Sequence, residues 1–493
     1  MSINATKELL YSISKSDEKK VAIYSEQGNL TYLDYCSNVK KMEKLLTQIY
    51  QGKIMKVGIL MDDCIELIFL FWACLKIGII PILINNKFST DTVCKCITTV
   101  ELSNIIVKYS NNEKYMPLTS DFKEFAHHNG LSFLESNTND CDSTAFINKN
   151  VAFGIFTSGS ADVPKCVLHS HESIIKCVDS YYKKMLRIKP DDIIYSASKM
   201  MHTYGLGNTV FQTVGIRASS IICTDDTIFS VIRNINKFCP TVFFAVPSVY
   251  QKIIDISKMQ EVDLSSLRLC FSAGEHLSLQ LYTAFYSRFG CKIFDGMGNT
   301  EYLTTFITNT ETKHKVGSCG KCIPGFSAKI VNQNNDEVSN GKSGRLLIKG
   351  DIHFCGYYTE EKIYTSDDYF DTLNLCYRDD DGFIWFEGRN DDLFKVNGKW
   401  VNPLEIESLL SNIEAIEDTL VVLDTDNGIN DTILYIKLKY EFESKINEKE
   451  FFHKIKIYIK KNLEHYKCPA KFEFVTKIPK GATGKKKRVV IGK

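Results

Sequence analysis

The sequence shows no excess of charge of either sign: sixty basic side chains face fifty-nine acidic ones, a formal net charge of +1 over 493 residues. Such a balance leaves no electrostatic footprint for nucleic acid or an anionic lipid surface, so small-molecule chemistry is expected. An unbroken apolar run long enough to span a bilayer is also missing. The richest stretch, Cys64 to Ile84, contains Glu66, Lys76, Gly78 and Pro81, which divide it into a short helix, a turn and a strand of a buried core. The opening MSINATKELLYSISKSDEKK has no apolar segment of the kind a signal peptide needs. Pro and Gly, at 10 and 28, are too sparse for a disordered chain, and no internal repeat or low-complexity tract is visible. Seventeen cysteines, an odd number scattered without a leader, do not read as a disulfide framework; reduced thiols in a cytoplasm are expected.

What is present is enough chain for at least two cores. From about Lys53 to Val107, apolar runs such as KVGILM and IIPILIN alternate with helical stretches, the rhythm of a parallel sheet with crossover helices. The rhythm resumes in DDIIYSASK, ASSIICT, CPTVFFAVPS, LRLCFSAGE and CKIFDGMG, each a strand ending in a small or polar turn. Ligands of open α/β sheets gather at the carboxyl ends of strands, so these turns are expected to share one cleft. After about Ser318 short strands suggest a small β subdomain, and the last hundred or so residues read as a small α+β domain. The fold class is therefore α/β: a large N-terminal domain, 1–389, of parallel α/β sheets plus the β subdomain, then a C-terminal α+β domain, 390–493, with the boundary in Gly388 to Asp392.

Thr157-Ser-Gly-Ser-Ala-Asp-Val-Pro-Lys165 follows the apolar strand VAFGIF. Hydroxyls, a glycine and a lysine after a strand can present N–H groups and positive charge to a phosphate chain, although the Walker A spacing is absent and a Ser-rich surface turn has the same composition. Further along stand KMMHTYGLGN, Ser272-Ala-Gly-Glu275, FDGMGNTEYL, YRDDDGFIWFEGRNDDLFKVNGKWVNPLEIE and PKGATGKKKR.

Together and in this order, these segments resemble the superfamily of acyl-CoA synthetases, adenylation domains and luciferases, from roughly Lys53 to Arg488. The resemblance implies ATP-dependent conversion of a carboxylic acid to an acyl-AMP, then transfer to a thiol. By position, Thr157, Ser158, Gly159, Ser160 and Lys165 would hold phosphates, and His202 would gate the cleft. Ser272, Ala273, Gly274, Glu275, Asp295, Gly296 and Met297 would surround the base. Thr300 would donate to phosphate, Glu301 would bind Mg²⁺, and Asn374 and Arg389 would take the ribose. Asp391 would be the hinge of a mobile C-terminal domain. Lys485 would neutralise the charge that builds as a carboxylate attacks the α-phosphate, and Lys395, in Lys395-Val-Asn-Gly398, would replace it after rotation. A solvated basic tail from Lys485 to Arg488, a solvated Glu301, a surface Arg389–Asp391 pair and a plain Asn-Gly hairpin are the bland counterparts of these roles.

Within the superfamily the stretches resemble benzoate-CoA ligases, with Met297 where many relatives carry a stacking tyrosine. An aromatic acid is expected, in a slot walled by Thr203, Tyr204, Phe244, Met297, Gly298 and Thr304, each of which also suits plain core. Thr203 and Thr304 add hydroxyls able to read a ring substituent. Two positions depart from the family pattern: Ala161-Asp162 replaces Thr-Gly, placing an acid beside a triphosphate, and Asn374 replaces an aspartate, both of which weaken ATP binding. They leave room for a degenerate ligand-binding paralogue. Coenzyme A and a carrier-protein phosphopantetheine offer the same thiol, and the sequence does not separate them. Cys319-Gly-Lys-Cys322 has no second pair and reads as a turn rather than a metal or redox site.

Overall fold

The computed structural model describes residues 3–108, 122–128, 130–136, 150–157, 164–359, 364–396, 399–424, 431–480, 486–488 and 490. Two large sheets form its centre. In the first, nine strands run in the order Lys321–Cys322, Thr305–Thr308, Ile293–Gly298, Leu269–Ser272, Val242–Ala245, Ile193–Ser196, Ser219–Ile222, Val21–Ser25, Leu30–Thr31. The strands from Ile293–Gly298 through Val21–Ser25 are mutually parallel. The second sheet has eight strands, with Val151–Phe156, Ile80–Leu83, Lys56–Leu60 and Asn104–Lys108 parallel at its middle. Both sheets carry antiparallel edges that the strand–helix rhythm did not announce; hairpins supply several of them, whereas Gly356–Tyr357 reaches Cys166–Ser170 from far along the chain.

Ile65–Ile77 is apolar on every side, which suits a helix buried all round rather than one facing water. Phe71 packs edge-on against Phe153 of one sheet, and both Phe71 and Trp72 pack against Phe211 in the helical layer of the other, so one core fills the space between the sheets. Gly78, at φ 82, ends this helix in the left-handed conformation and sends the chain into Ile80–Leu83, the helix, turn and strand expected of Cys64 to Ile84. Among the described residues no helix is long and apolar enough to cross a membrane.

At the amino ends of three adjacent parallel strands one buried carboxylate sets the level. Asp192 accepts hydrogen bonds from Lys189 N–H at 2.7 Å, Thr241 Oγ1–H at 2.6 Å and Arg268 Nε–H at 2.8 Å. These groups precede Ile193–Ser196, Val242–Ala245 and Leu269–Ser272. The opposite, carboxyl ends of the same strands carry the cleft.

Four antiparallel strands, Phe326–Val331, Gly344–Gly350, Phe370–Arg378 and Ile384–Arg389, make the third sheet, the expected β subdomain. A short helical turn, Asn390–Asp392, leads to the hairpin Phe394–Val396/Lys399–Val401. Three strands follow, covered by Pro403–Leu410 and Glu448–Asn462, with their own apolar cluster. Asn402 ties this part back by donating to the Glu387 carbonyl at 2.7 Å. Gly388 is fixed by that contact, since a Cβ there would lie 2.8 Å from Asn402 Oδ1 at a φ of +154°.

Burial opposes ionisation of Asp192, but the Arg268, Thr241 and Lys189 donors outweigh it and hold its carboxyl below the usual range. A carboxylate of depressed pKa stabilises the fold at neutral pH and loses that contribution as pH falls through the folded value. Asp192→Ala leaves Arg268 without its partner and should lower the unfolding free energy by about 3 kcal/mol in denaturant titration at pH 7. The deficit should shrink in acid, where the parent loses the same interaction.

Candidate active site

Register brings the first group together. Ala245 pairs with Ser272, and Ser272 with Asp295, on one line across three strands. Ser272 and Asp295 are only 2% and 8% exposed, and neither Ser272 Oγ nor Asp295 Oδ1 completes a well-formed hydrogen bond among the described residues. Burial raises the Asp295 carboxyl well above the usual carboxylate range, against the Ser272 hydroxyl and Gly296 N–H. Gly274, at φ +88, turns the chain so that Glu275 accepts from Ser248 N–H at 3.0 Å and Oγ–H at 3.2 Å. The Glu275 carboxylate is thus engaged in capping the helix Pro247–Ser257.

Met297 and Gly298 end the last parallel strand. Asn374 Nδ2 sits 3.4 Å from Met297 Sδ, and Asn374 is the strand partner of Arg389. Arg389 makes a bidentate pair with Asp391, at 2.7 and 2.6 Å. The positions read as ribose and hinge residues therefore stand side by side. At Gly298 a Cβ would meet the Thr304 carbonyl oxygen at 2.5 Å, which excludes any larger residue without movement.

The second group hangs from the other sheet. Thr157 N–H donates to the Lys165 carbonyl at 2.8 Å and Lys165 N–H to Thr157 Oγ1 at 3.2 Å, closing the base of the loop. Ser158, Gly159, Ser160, Ala161 and Asp162 lie outside the described residues. The Lys165 ammonium lies 4.6 Å from the centre of the Tyr357 ring, and the Tyr357 hydroxyl donates to Glu301 Oε1 at 2.8 Å. His169 Nε2–H donates to the Thr300 carbonyl at 2.9 Å. Lys165, Thr300 and Glu301 are thereby connected, although 135 and more residues separate the lysine from the other two.

Sequence reasoning passed over His169, Tyr357, Asn85 and Asp63. His202 Nε2 accepts from Asn85 Nδ2–H at 3.2 Å. The buried Asp63 takes the Met200 N–H at 3.1 and 3.2 Å, fixing the turn that presents the histidine; burial raises its carboxyl to about 6. A histidine or an acid inside an apolar stretch was the available signal. Thr203 begins the short helix Thr203–Leu206 beside His202. Tyr204 packs edge-on against Phe244 at 6.1 Å and donates to the Phe271 carbonyl at 3.3 Å, while Phe244 stacks on Phe271 at 5.2 Å. The buried Thr304 hydroxyl faces the Cys177 thiol.

Lys485 lies outside the described residues, as do Asn397 and Gly398. The flanks of its loop are pinned: Lys480 bridges Lys486, and Lys487 N–H donates to the Pro479 carbonyl at 2.9 Å. Lys486 reaches Asp418 at 2.7 Å and Glu407 at 3.2 Å, and Arg488 reaches Glu407 at 2.5 Å and Asp392 at 3.2 Å. The Glu407 side chain is 3% exposed, so this segment is anchored rather than a solvated basic tail. Burial raises the Glu275 carboxyl, against the Ser248 donors and the Lys480 charge, and burial with the Lys486 charge lowers the His276 pKa. Lys395 lies over the Trp400 ring at 4.7 Å. Cys319 and Cys322 are free thiols, both pushed up by burial.

Comparison with known proteins bears on this arrangement. The family described as AMP-binding enzyme matches residues 12–358, and its C-terminal domain matches residues 405–485. The chain is 26% identical over 495 residues to a 4-hydroxybenzoate–CoA/benzoate–CoA ligase of Rhodopseudomonas palustris, covering 96% of this chain and 90% of that protein. It is 28% identical over 450 residues to an anthranilate–CoA ligase of Pseudomonas aeruginosa, covering 87% and 85%. It shares its fold with the anthranilate CoA ligase AuaEII, solved in complex with anthranoyl-AMP, at a TM-score of 0.85 and 24% identity over 99% of this chain and 96% of that one. With one family spanning both the strand-end cleft and the domain that carries the lysine loop, the chain belongs to the AMP-binding enzymes.

Proposed function

We propose that the cleft activates an aromatic carboxylic acid with ATP, releasing pyrophosphate to form an acyl-AMP, and passes the acyl group to the thiol of coenzyme A. The observation that carries this reading is the grouping of Thr157, Lys165, Thr300 and Glu301 on one side and of Ser272, Asp295, Asn374 and Arg389 on the other.

The residues suit a nucleotide. Asp295 and the Ser272 hydroxyl, buried without full partners, suit the polar edge of adenine, with Met297 and the Ala273–Gly274 turn against its faces. Arg389 and Asn374 take the ribose hydroxyls. The Thr157–Lys165 loop and Thr300 donate to phosphates, and Glu301 would supply one carboxylate to Mg²⁺. Bound Mg²⁺ would draw charge from the phosphates. Lys485 then offsets repulsion between the carboxylate and the α-phosphate. His202, steadied by Asn85, stands where the acid must pass, and Tyr204, Phe244, Gly298 and Thr304 wall an apolar slot.

Substrate class rests on the named activities of the relatives together with this slot. The acid is benzoate or a hydroxy or amino derivative. Residues 1–389 and 390–493 act as two bodies hinged at Asp391, and rotation exchanges Lys485 for the Lys395 hairpin in the thiol step. The work is assigned to a cytoplasm, where reduced thiols, ATP and coenzyme A coexist. A carrier-protein thiol is the alternative acceptor.

Pyrophosphate release should be measured with ATP, Mg²⁺ and a panel of benzoate, hydroxybenzoates, aminobenzoates and fatty acids. The aryl acids should turn over and yield thioesters when coenzyme A is added. A panel without turnover overturns the reading in favour of a ligand-binding paralogue, and thioester formation only on a loaded carrier protein reassigns the acceptor. Asn374→Asp restores a charge-assisted ribose contact and should lower the KM for ATP about fivefold with kcat little changed.

A further inference from the structure

We infer that His169 and Tyr357 are positioning residues that hold the Thr300–Glu301 segment in register with the phosphate loop. This rests on the assignment of Thr300 and Glu301 to Mg²⁺ and ATP.

The two grips reach across the molecule. Thr300 and Glu301 follow the last parallel strand of the nine-stranded sheet, whereas His169 and Tyr357 stand on Cys166–Ser170 and Gly356–Tyr357, antiparallel neighbours at the edge of the eight-stranded sheet. Lys165, at the end of the phosphate loop, immediately precedes the first of these strands. One rigid pair of strands therefore carries the loop's lysine and both donors to the metal segment.

The histidine is a costly way to fill its place. It is fully buried, its ring stacks on Phe153 at 5.1 Å, and its Nδ1 completes no hydrogen bond among the described residues. A phenylalanine would pack there without an orphaned nitrogen, so what the imidazole adds is the 2.9 Å bond from Nε2–H to the Thr300 carbonyl. Burial lowers its pKa to about 3, against the favourable bond to Thr300, so the ring stays a neutral donor of fixed tautomer. Tyr357 works on the side chain instead. Its hydroxyl engages Glu301 Oε1 at 2.8 Å, which orients the carboxylate.

Three variants test the strut. His169→Phe keeps the flat ring and removes the donor, His169→Gln restores an N–H near Nε2, and Tyr357→Phe deletes one oxygen. The readouts are the Mg²⁺ concentration for half-maximal pyrophosphate release and, without turnover, calorimetric binding of Mn²⁺ in the presence of a non-hydrolysable ATP analogue. His169→Phe and Tyr357→Phe should each weaken both about tenfold. The KM for the aromatic acid should stay within about twofold and the pH profile should not move. His169→Gln should recover most of the loss. Parental metal requirement and Mn²⁺ affinity in folded His169→Phe and Tyr357→Phe overturn the strut. If His169→Phe does not melt cooperatively, Tyr357→Phe and His169→Gln decide the matter by the same two measurements. A parent that binds Mn²⁺ and the analogue but releases no pyrophosphate with any acid overturns the adenylation reading alone, and calorimetry of the variants still tests the strut.

Discussion

Asp192 sets three neighbouring strands level by taking donors from the amino ends of all three, and much of the cleft depends on that alignment. With the amino ends fixed, register carries the effect along the ladder until Ala245, Ser272 and Asp295 arrive in one line at the other edge. A slip of one residue would turn every side chain to the opposite face, removing Ser272 and Asp295 from the same pocket at once. Clamping and chemistry are thus separated by the length of a strand: ion pairing secures one edge, and partly unsatisfied polar groups wait at the other.

A second constraint joins the two sheets. Their shared core of Phe71, Trp72, Phe153 and Phe211 holds them face to face, and only the strand ends escape that packing. Between those ends Thr300 and Glu301 are gripped from the far sheet, Lys165 lies over the same tyrosine that grips Glu301, and Asn85 of one sheet steadies His202 of the other. Beyond the β subdomain, Asp391 answers to Arg389 and Asp392 to Arg488. Adjacent acids of this turn are therefore tied to opposite sides, one to the strand before it and one to Arg488.

Much of this was legible in the residues. The strand–helix rhythm located the parallel strands, and the breakers in Cys64 to Ile84 marked a helix, a turn and a strand where composition alone suggested a membrane span. Thr157 and Ser272, expected at the ends of apolar strands, directly follow Val151–Phe156 and close Leu269–Ser272, respectively. The antiparallel edges were not visible, since the same β-branched alternation serves either direction. Nor were His169, Tyr357, Asn85 and Asp63, because each acts through a partner more than twenty residues away in sequence, and no local pattern encodes such a pairing. The basic run after Lys485 had the composition of a solvated tail; only the fold reveals the buried Glu407 and the half-buried Asp418 beside it.

The account stands on Lys485 entering the cleft for the first chemical step and leaving for the second, so the two steps must be measured apart. In Lys485→Ala, pyrophosphate release with ATP and an aryl acid should fall by at least about a hundredfold, the scale of losing one charge-stabilising donor. Thioester formation from supplied acyl-AMP and coenzyme A should continue near the parental rate. Unchanged pyrophosphate release in that variant would contradict the account.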